Sequence, residues 1–420
     1  MHDVVGLGDP VLDIVARVDH ELLQKLGAEP GGCLPVSAEE MARLLAMPEL
    51  RSNMMRIPGG SAANVLKGLA SLASSSSSSS STSTSASSSI RSLSVAFVGM
   101  VGADEVGREY RRSIAAHGVD PLLLQSSSGA ATATCLCLVT PDGQRTMRTA
   151  LCAALELNTP QQLPPELTPP SASGAGSQGS RGGGGLALLH AEGYCLYRVH
   201  VAAAAMRAAR ARGARVSLDL ASFEVVANCW AALCSLLQER LVDIVFCNEQ
   251  EAAALCQAAS VQLPLGASGQ QVVAAAQDYL LQQGVGTVII SRGGKGCSAK
   301  SAEGITAVCA ASSVAIVDTV GAGDYFTSGC LLGLLSGASL AACTACGCAA
   351  GTAAVQTAGA ELEAQALRQL RARIAGILAA DGGAAGGKAH GQGGAAAGDA
   401  VVGDCTSSLQ RVREQEALAA

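Results

Sequence analysis

The sequence predicts an α/β protein, a largely parallel sheet with helices packed over it, on three observations. Apolar runs of strand length alternate with helical runs, as in 93–100 followed by 105–117 and 241–247 followed by 252–259, the order that a parallel sheet with covering helices requires. Several of these strands end in glycine or polar residues directly before a helix, where the chain has to turn. Aromatic residues are only 2% of the chain, yet 49% is hydrophobic, so Val, Leu, Ile and Ala can fill a core of roughly 300 folded residues.

Taken in order, Val4 to Gly8 is a glycine-punctuated apolar strand, and Val11 to Val18 alternates like a half-buried one. Asp13 falls inside that alternation. It faces solvent or binds polar substrate groups, since a carboxylate can accept from two neighbouring hydroxyls. Ala38 to Met47 reads as an amphipathic helix. In Pro58-Gly59-Gly60-Ser61-Ala62-Ala63-Asn64 two glycines precede a starting helix. This is an ordinary turn, or a place where a ligand approaches the bare backbone and Asn64 offers both donor and acceptor. Ser74 to Ser89 is nearly pure Ser and Thr and is predicted disordered, because it cannot bury enough apolar surface to offset the entropy of ordering. Strand 93–100 and helix 105–117 follow, and Gly118-Val119-Asp120 closes that unit.

Residues 132–139 and 145–151 flank Pro141-Asp142-Gly143, a hairpin signal. Arg148 on the second arm is a solvated charge or faces substrate or phosphate. Ser171 to Gly185 is a second low-complexity insertion. Then come strand 186–190, helix 199–212 and strand 216–220, whose polar end puts Asp219 where ligands gather in open α/β sheets. Strand 241–247 runs straight into Asn248-Glu249-Gln250-Glu251, which suits a helix cap and also suits a magnesium site, since Mg²⁺ needs only one or two protein carboxylates. Strand 287–291 ends at Ser291 and passes into Arg292-Gly293-Gly294-Lys295-Gly296, a β-turn or a bare surface for a nucleotide. Helices 340–357 and 362–379 come last, and the Gly/Ala-rich 380–420 is predicted disordered.

Ile316 to Leu332 organises the rest. It reads as a strand end, a turn at Gly321 and Gly323, and an apolar helix over 322–335 with Asp324 in its first turn. First-turn amides lack intrahelical partners and the helix dipole adds positive character, so this is an anion site with a carboxylate beside it, or simply a well-capped helix. The string Asp318-Thr319-x-Gly321-Ala322-Gly323-Asp324 resembles the signature of the ribokinase-like (PfkB) sugar and nucleoside kinases. Four further matches occur in the family's order: Asp13 in the first strands, Gly59-Gly60-x-x-x-Asn64, Asn248-x-x-Glu251 and the 292–296 glycine loop.

The resemblance covers about residues 3–379 and implies a three-layer α/β/α ribokinase-like sandwich with a small β lid from about 13–35 and 130–150. It implies an ATP-dependent phosphotransferase using Mg²⁺, with Asp324 as base and the Gly321, Ala322, Gly323 turn stabilising the moving phosphoryl group. Asp13, Gly59, Gly60, Asn64 and Arg148 would bind substrate. Asn248, Ser291, Gly293, Gly296, Asp318 and Thr319 would hold the nucleotide, and Glu251 would act through metal-bound water. The Gly8-Asp9-Pro10-Val11-Leu12-Asp13 opening looks most like the adenosine kinase branch. A ribokinase- or fructokinase-type sugar kinase and a catalytically silent scaffold or regulator are the alternatives.

The formal charge is −6 and the basic residues are spread along the chain rather than gathered in a patch, so no nucleic-acid partner is expected. Most of the 16 cysteines stand singly in apolar segments, as buried free thiols do. Cys343, Cys346 and Cys348 have no matching pair elsewhere for a zinc site. A small-molecule substrate, a monomer or homodimer, and a reducing, cytoplasmic setting without membrane attachment are expected. Residue 3 already opens the first strand, so no cleavable targeting segment is expected unless the true start lies upstream.

Overall fold

The computed structural model describes residues 2–27, 33–51, 54–74, 92–142, 145–169, 185–357, 359 and 361–385. The chain first alternates between two sheets. β1 (Val4–Leu7) enters a large sheet and β2 (Val11–Arg17) a small one, with only Gly8-Asp9-Pro10 between them. α1 (His20–Lys25), β3 (Cys33–Pro35), α2 (Ala38–Ala46), α3 (Pro48–Arg51) and β4 (Met54–Gly59) stay with the small sheet. Asp19 and Ser37 start α1 and α2, each side chain accepting from an amide three residues on. α4 (Ser61–Ala73) then returns to the large sheet and is buried at every position except Ser61 and Ser71.

β5 (Val95–Val101), α5 (Glu105–Ala116) and β6 (Val119–Gln125) make a strand-helix-strand unit, and β7 (Ala133–Val139) with β8 (Arg145–Ala150) adds an antiparallel hairpin to the small sheet. The large sheet continues through β9 (Leu188–Glu192), α6 (Val199–Ala211), β10 (Arg215–Asp219), α7 (Phe223–Asn228), α8 (Trp230–Gln238), β11 (Ile244–Asn248), α9 (Glu249–Ala258), α10 (Gly269–Gln282) and β12 (Thr287–Ser291). β13 (Cys297–Ser301) and β14 (Thr306–Cys309) turn antiparallel at its edge. α11 (Ala322–Leu335), α12 (Leu340–Ala354) and α13 (Ala364–Ala385) follow.

The large sheet runs β14-β13-β12-β11-β10-β9-β1-β5-β6 and the small one β3-β8-β7-β2-β4. From β12 to β6 every neighbouring pair is parallel. α6 to α10 pack one apolar face around Leu189, Val216 and Val245, and α4, α5 and α11 to α13 pack the other around Phe97, Phe246 and Ile289. The result is a three-layer α/β/α sandwich with the five-stranded sheet beside it. The strand order reverses around β1, and such a switch opens a crevice at the carboxyl ends of the strands.

Several expectations need correction. Ile316 to Asp318 is not a strand end: Ile316 and Val317 are 68% and 57% exposed, and the Val317 amide is satisfied by the Val355 carbonyl rather than by a neighbouring strand. The last helix reaches Ala385, so 380–385 is helical rather than disordered; 386–420 lie outside the described residues. So do the two Ser-rich insertions apart from Ser74 and Gly185. β4 pairs with β2, so residues 54–59 join the small sheet alongside the stretches expected there.

Candidate active site

Two glycine turns converge on Asp324. Gly321 is the N-cap of α11 in the left-handed region, φ 71°, which favours glycine and sets Asp324 in the first turn. The Asp324 carboxylate accepts from Ser61 Oγ at 3.2 Å and from Asn64 Nδ2 at 3.1 Å. Both donors stand on the first turn of α4. Gly60 allows that turn, with φ 95° and no space for a Cβ, which would lie 2.4 Å from the Asp9 carbonyl oxygen. At Gly59 a Cβ would lie 2.1 Å from Asp13 Oδ2, so Asp13 reaches across bare backbone and accepts from the Gly60 amide. Burial, then the nearby Asp324 carboxylate, pushes Asp13 up to about 7 against the pull of Lys67. Asn64 Oδ1 is buried without a partner among the described residues, which leaves an acceptor ready for a ligand hydroxyl.

The opposite wall is made by the last residues of three adjacent strands, Asp219 of β10, Asn248 of β11 and Ser291 of β12. With Glu251, Gly323 and Asp324 they line a cavity of about 130 Å³. Asn248 caps α9 by accepting from the Gln250 and Glu251 amides at 2.8 and 2.9 Å, while Glu251 accepts from Asn248 N at 2.9 Å and Nδ2 at 2.6 Å. Cap and acid therefore lock each other. Thr327 Oγ1 donates to Asp219 Oδ2 at 3.3 Å. Burial raises Asp219 to about 7, with Asp324 adding to it, and raises Glu251 to about 8, with Asp219 adding to it.

None of the described side chains lining this cavity is basic. Buried acids facing one another without a counter-charge fit a divalent cation. Both Glu251 oxygens already hold Asn248, and among the described residues no three His, Cys, Asp or Glu side chains form a metal cage. The fit is to a hydrated Mg²⁺ that keeps its waters, not to an all-protein site.

The remaining predicted residues divide. The 292–296 turn is tied to α9, since Arg292 Nε and Lys295 Nζ reach Glu249 at 2.8 and 3.0 Å. A Cβ at Gly293 would meet nothing within 4 Å, so that face is open, whereas one at Gly296 would lie 1.9 Å from the Cys309 carbonyl oxygen. Packing against β14 is therefore enough to require glycine at 296. Asp318 accepts from the Val320 and Gly359 amides, both at 3.0 Å, and braces the loop. Thr319 is exposed, and its carbonyl takes the Ala322 amide at 3.3 Å.

Arg148 is not brought to the site. It is opposite Leu136, on the sheet face of Leu12 and Ile14, whereas Asp13 is opposite Cys135 on the other face; it is buried there and donates to the Met147 carbonyl at 3.0 Å. Sequence reasoning missed Ser61, Thr327 and Lys67 as site residues. Ser61 directly follows the glycine pair, a position that could have flagged it. Lys67, one turn after Asn64, donates to the Pro58 carbonyl at 2.8 Å and to Glu361 at 3.3 Å from a buried position.

Comparison with known proteins bears on the family and the fold. The family model described as pfkB family carbohydrate kinase matches residues 45–366. Aminoimidazole riboside kinase of Salmonella typhimurium is 27% identical over 301 residues, covering 69% of this chain and 77% of that protein. Among solved structures, adenosine kinase from Sinorhizobium meliloti aligns with a TM-score of 0.69 at 25% identity, over 89% of this chain and 99% of its own. Anopheles gambiae adenosine kinase, in complex with P1,P4-di(adenosine-5) tetraphosphate, shares the fold with a TM-score of 0.67 at 24% identity, over 85% and 96%.

Proposed function

The chain belongs to the pfkB family of carbohydrate kinases, and we propose that it transfers the γ-phosphoryl group of ATP to a primary hydroxyl of a ribonucleoside or related riboside, with Asp324 as the general base. The observation behind this reading is the Asp324 carboxylate, held on one oxygen by Ser61 and on the other by Asn64, at the amino end of α11. Those two bonds fix its direction and leave lone pairs to take a proton from an incoming hydroxyl. Asp13 and Asn64 Oδ1 receive the acceptor's other hydroxyls. The first-turn amides of α11, with Gly323 leaving the approach bare, favour negative charge building next to the base. Asp219 and Glu251 would hold a hydrated Mg²⁺ ion through its waters. When bound, the ion neutralises phosphate charge.

The riboside class is supported by the names of the relatives, one an aminoimidazole riboside kinase and others adenosine kinases. With few aromatic rings in the chain, selection would rest on the ribosyl hydroxyls more than on ring stacking. The test is purified protein with Mg-ATP against adenosine, other nucleosides, ribosides, ribose and fructose, scored by ADP release. Turnover confined to ribosides supports the reading. A preference for free sugars would make it a sugar kinase, and no ADP with any acceptor would make it a silent member.

A further inference from the structure

Behind the 292–296 turn, away from the cavity, three thiols meet. Cys297 opens β13 directly after Gly296, Cys309 is its register partner on β14, and Cys348 reaches both from α12. Cys297 Sγ is 3.6 Å from Cys348 Sγ, and Cys348 Sγ is 3.8 Å from the Cys309 carbonyl oxygen. Cys297 is fully buried, whereas Cys309 and Cys348 are partly exposed. A cleft of about 390 Å³ between α12 and α13 is lined by Ala349, the residue after Cys348, and by Arg373. Burial raises the Cys309 thiol, Cys348 is raised by its contact with Cys297 and by burial, and the Arg373 guanidinium pulls both back down. The partial exposure of Cys309 and Cys348 is what opens the cluster to a small polar molecule from solvent.

We propose that Cys297 and Cys348 form an oxidisable pair that a small peroxide converts to a disulfide, stapling the strand that leaves the glycine turn to α12. In the first step the Cys348 thiolate attacks hydrogen peroxide; an S–O bond forms, the O–O bond breaks, and the hydroxide released takes up the thiol proton as water. Cys297 then attacks the sulfenic sulfur, forming the S–S bond, breaking the S–O bond and releasing a second water. Two electrons pass from the thiol pair to peroxide. The sulfurs have to close from 3.6 Å to about 2.0 Å. Because thiolate is scarce in raised thiols, the reaction accelerates as pH rises.

The test treats the full chain with hydrogen peroxide at about pH 7 and pH 9, blocks remaining thiols with iodoacetamide, and maps peptides without reduction. The expected product is a cross-link between the Cys297 and Cys348 peptides, formed up to roughly a hundredfold faster at the higher pH, because the thiolate fraction of a raised thiol grows about tenfold per pH unit. It should vanish in Cys348→Ser and persist in Cys309→Ser. If Cys348→Ser does not fold, Cys297→Ala should remove the same cross-link. Recovery of both peptides unlinked, or a wild-type cross-link from Cys348 to Cys309 instead, overturns the pairing. An oxidation-dependent rise in the KM for ATP is the functional readout and rests on the kinase reading, whereas the cross-link does not, so the two can fail separately.

Discussion

Asn64 Nδ2 and Asp324 Oδ2 are 3.1 Å apart, joining the first turn of α4 to the first turn of α11 across 260 residues of chain. On the proposed reading this contact aims Asp324 as a base; without it Asp324 would be a favourable helix-start acid. Asp324→Asn should keep the fold but lower kcat by roughly 10²–10⁴-fold, the scale for losing a positioned base. Turnover and melting temperature on one sample decide it. Near-normal turnover in a folded protein would leave Asp324 only a structural role.

Gly59→Ala tests how Asp13 is placed. The added Cβ would lie 2.1 Å from Asp13 Oδ2, so the carboxylate has to swing away while the donor-side cavity stays as it is. The KM for the acceptor should rise by roughly tenfold or more, the worth of about one lost charged hydrogen bond, with ATP binding little changed. An equal loss of ATP affinity would show that the turn shapes both halves of the site.

The buried acids predict a pH-dependent metal response. Asp219 and Glu251 have folded values raised to about 7 and 8, so their contribution to stability is fully present below the ordinary carboxylate range and is lost as pH rises through 7 to 8. Mg²⁺ should offset that loss. Its effect on the melting temperature should be larger at pH 8 than at pH 6, and Glu251→Gln should shrink the difference and raise the Mg²⁺ requirement for turnover. A pH-independent metal response would detach Glu251 from the metal.

His190 has the opposite sign. It is fully buried on β9, its Nδ1 2.9 Å from Ser217 Oγ, and burial lowers it from 6.5 to about 4. The fold holds it neutral, so stability is present above pH 6.5 and declines as pH falls toward 4, by on the order of 3 kcal/mol if nothing relaxes. Urea titrations across that window should show the slope in the parent and a shallower one in His190→Gln. An unchanged slope would assign the acid sensitivity elsewhere.

The parts legible in the sequence were those set by local chemistry. The glycine pairs, the Asn248 cap and the apolar α11 each announce a turn or a helix start, and the resemblance ordered them around one centre. Arg148 was not legible because strand alternation does not say which face of a sheet meets the ligand; only its pairing opposite Leu136 does. Ile316 and Val317 look like a strand because they are β-branched, but among the described residues no neighbour strand pairs with them and the α12 carboxyl end takes the Val317 amide instead. Lys67 was hidden because its partners, the Pro58 carbonyl and Glu361, meet only in the folded chain.

The burial of α4 on nearly every side has a consequence during synthesis. Its partners are α11, where Ser328 Oγ donates to the Val65 carbonyl at 2.8 Å, and α13, where Arg371 Nε donates to the Ser71 carbonyl at 2.7 Å. Both helices leave the ribosome more than two hundred residues after α4, and contacts so distant in sequence form late because a long loop has to close first. Until then α4 is an apolar helix without its cover, on a chain whose growth takes on the order of ten seconds or more for that span. The segment that presents Asn64 to Asp324 is therefore also a surface of the nascent chain that stays apolar and partly uncovered until α11 and α13 have been made.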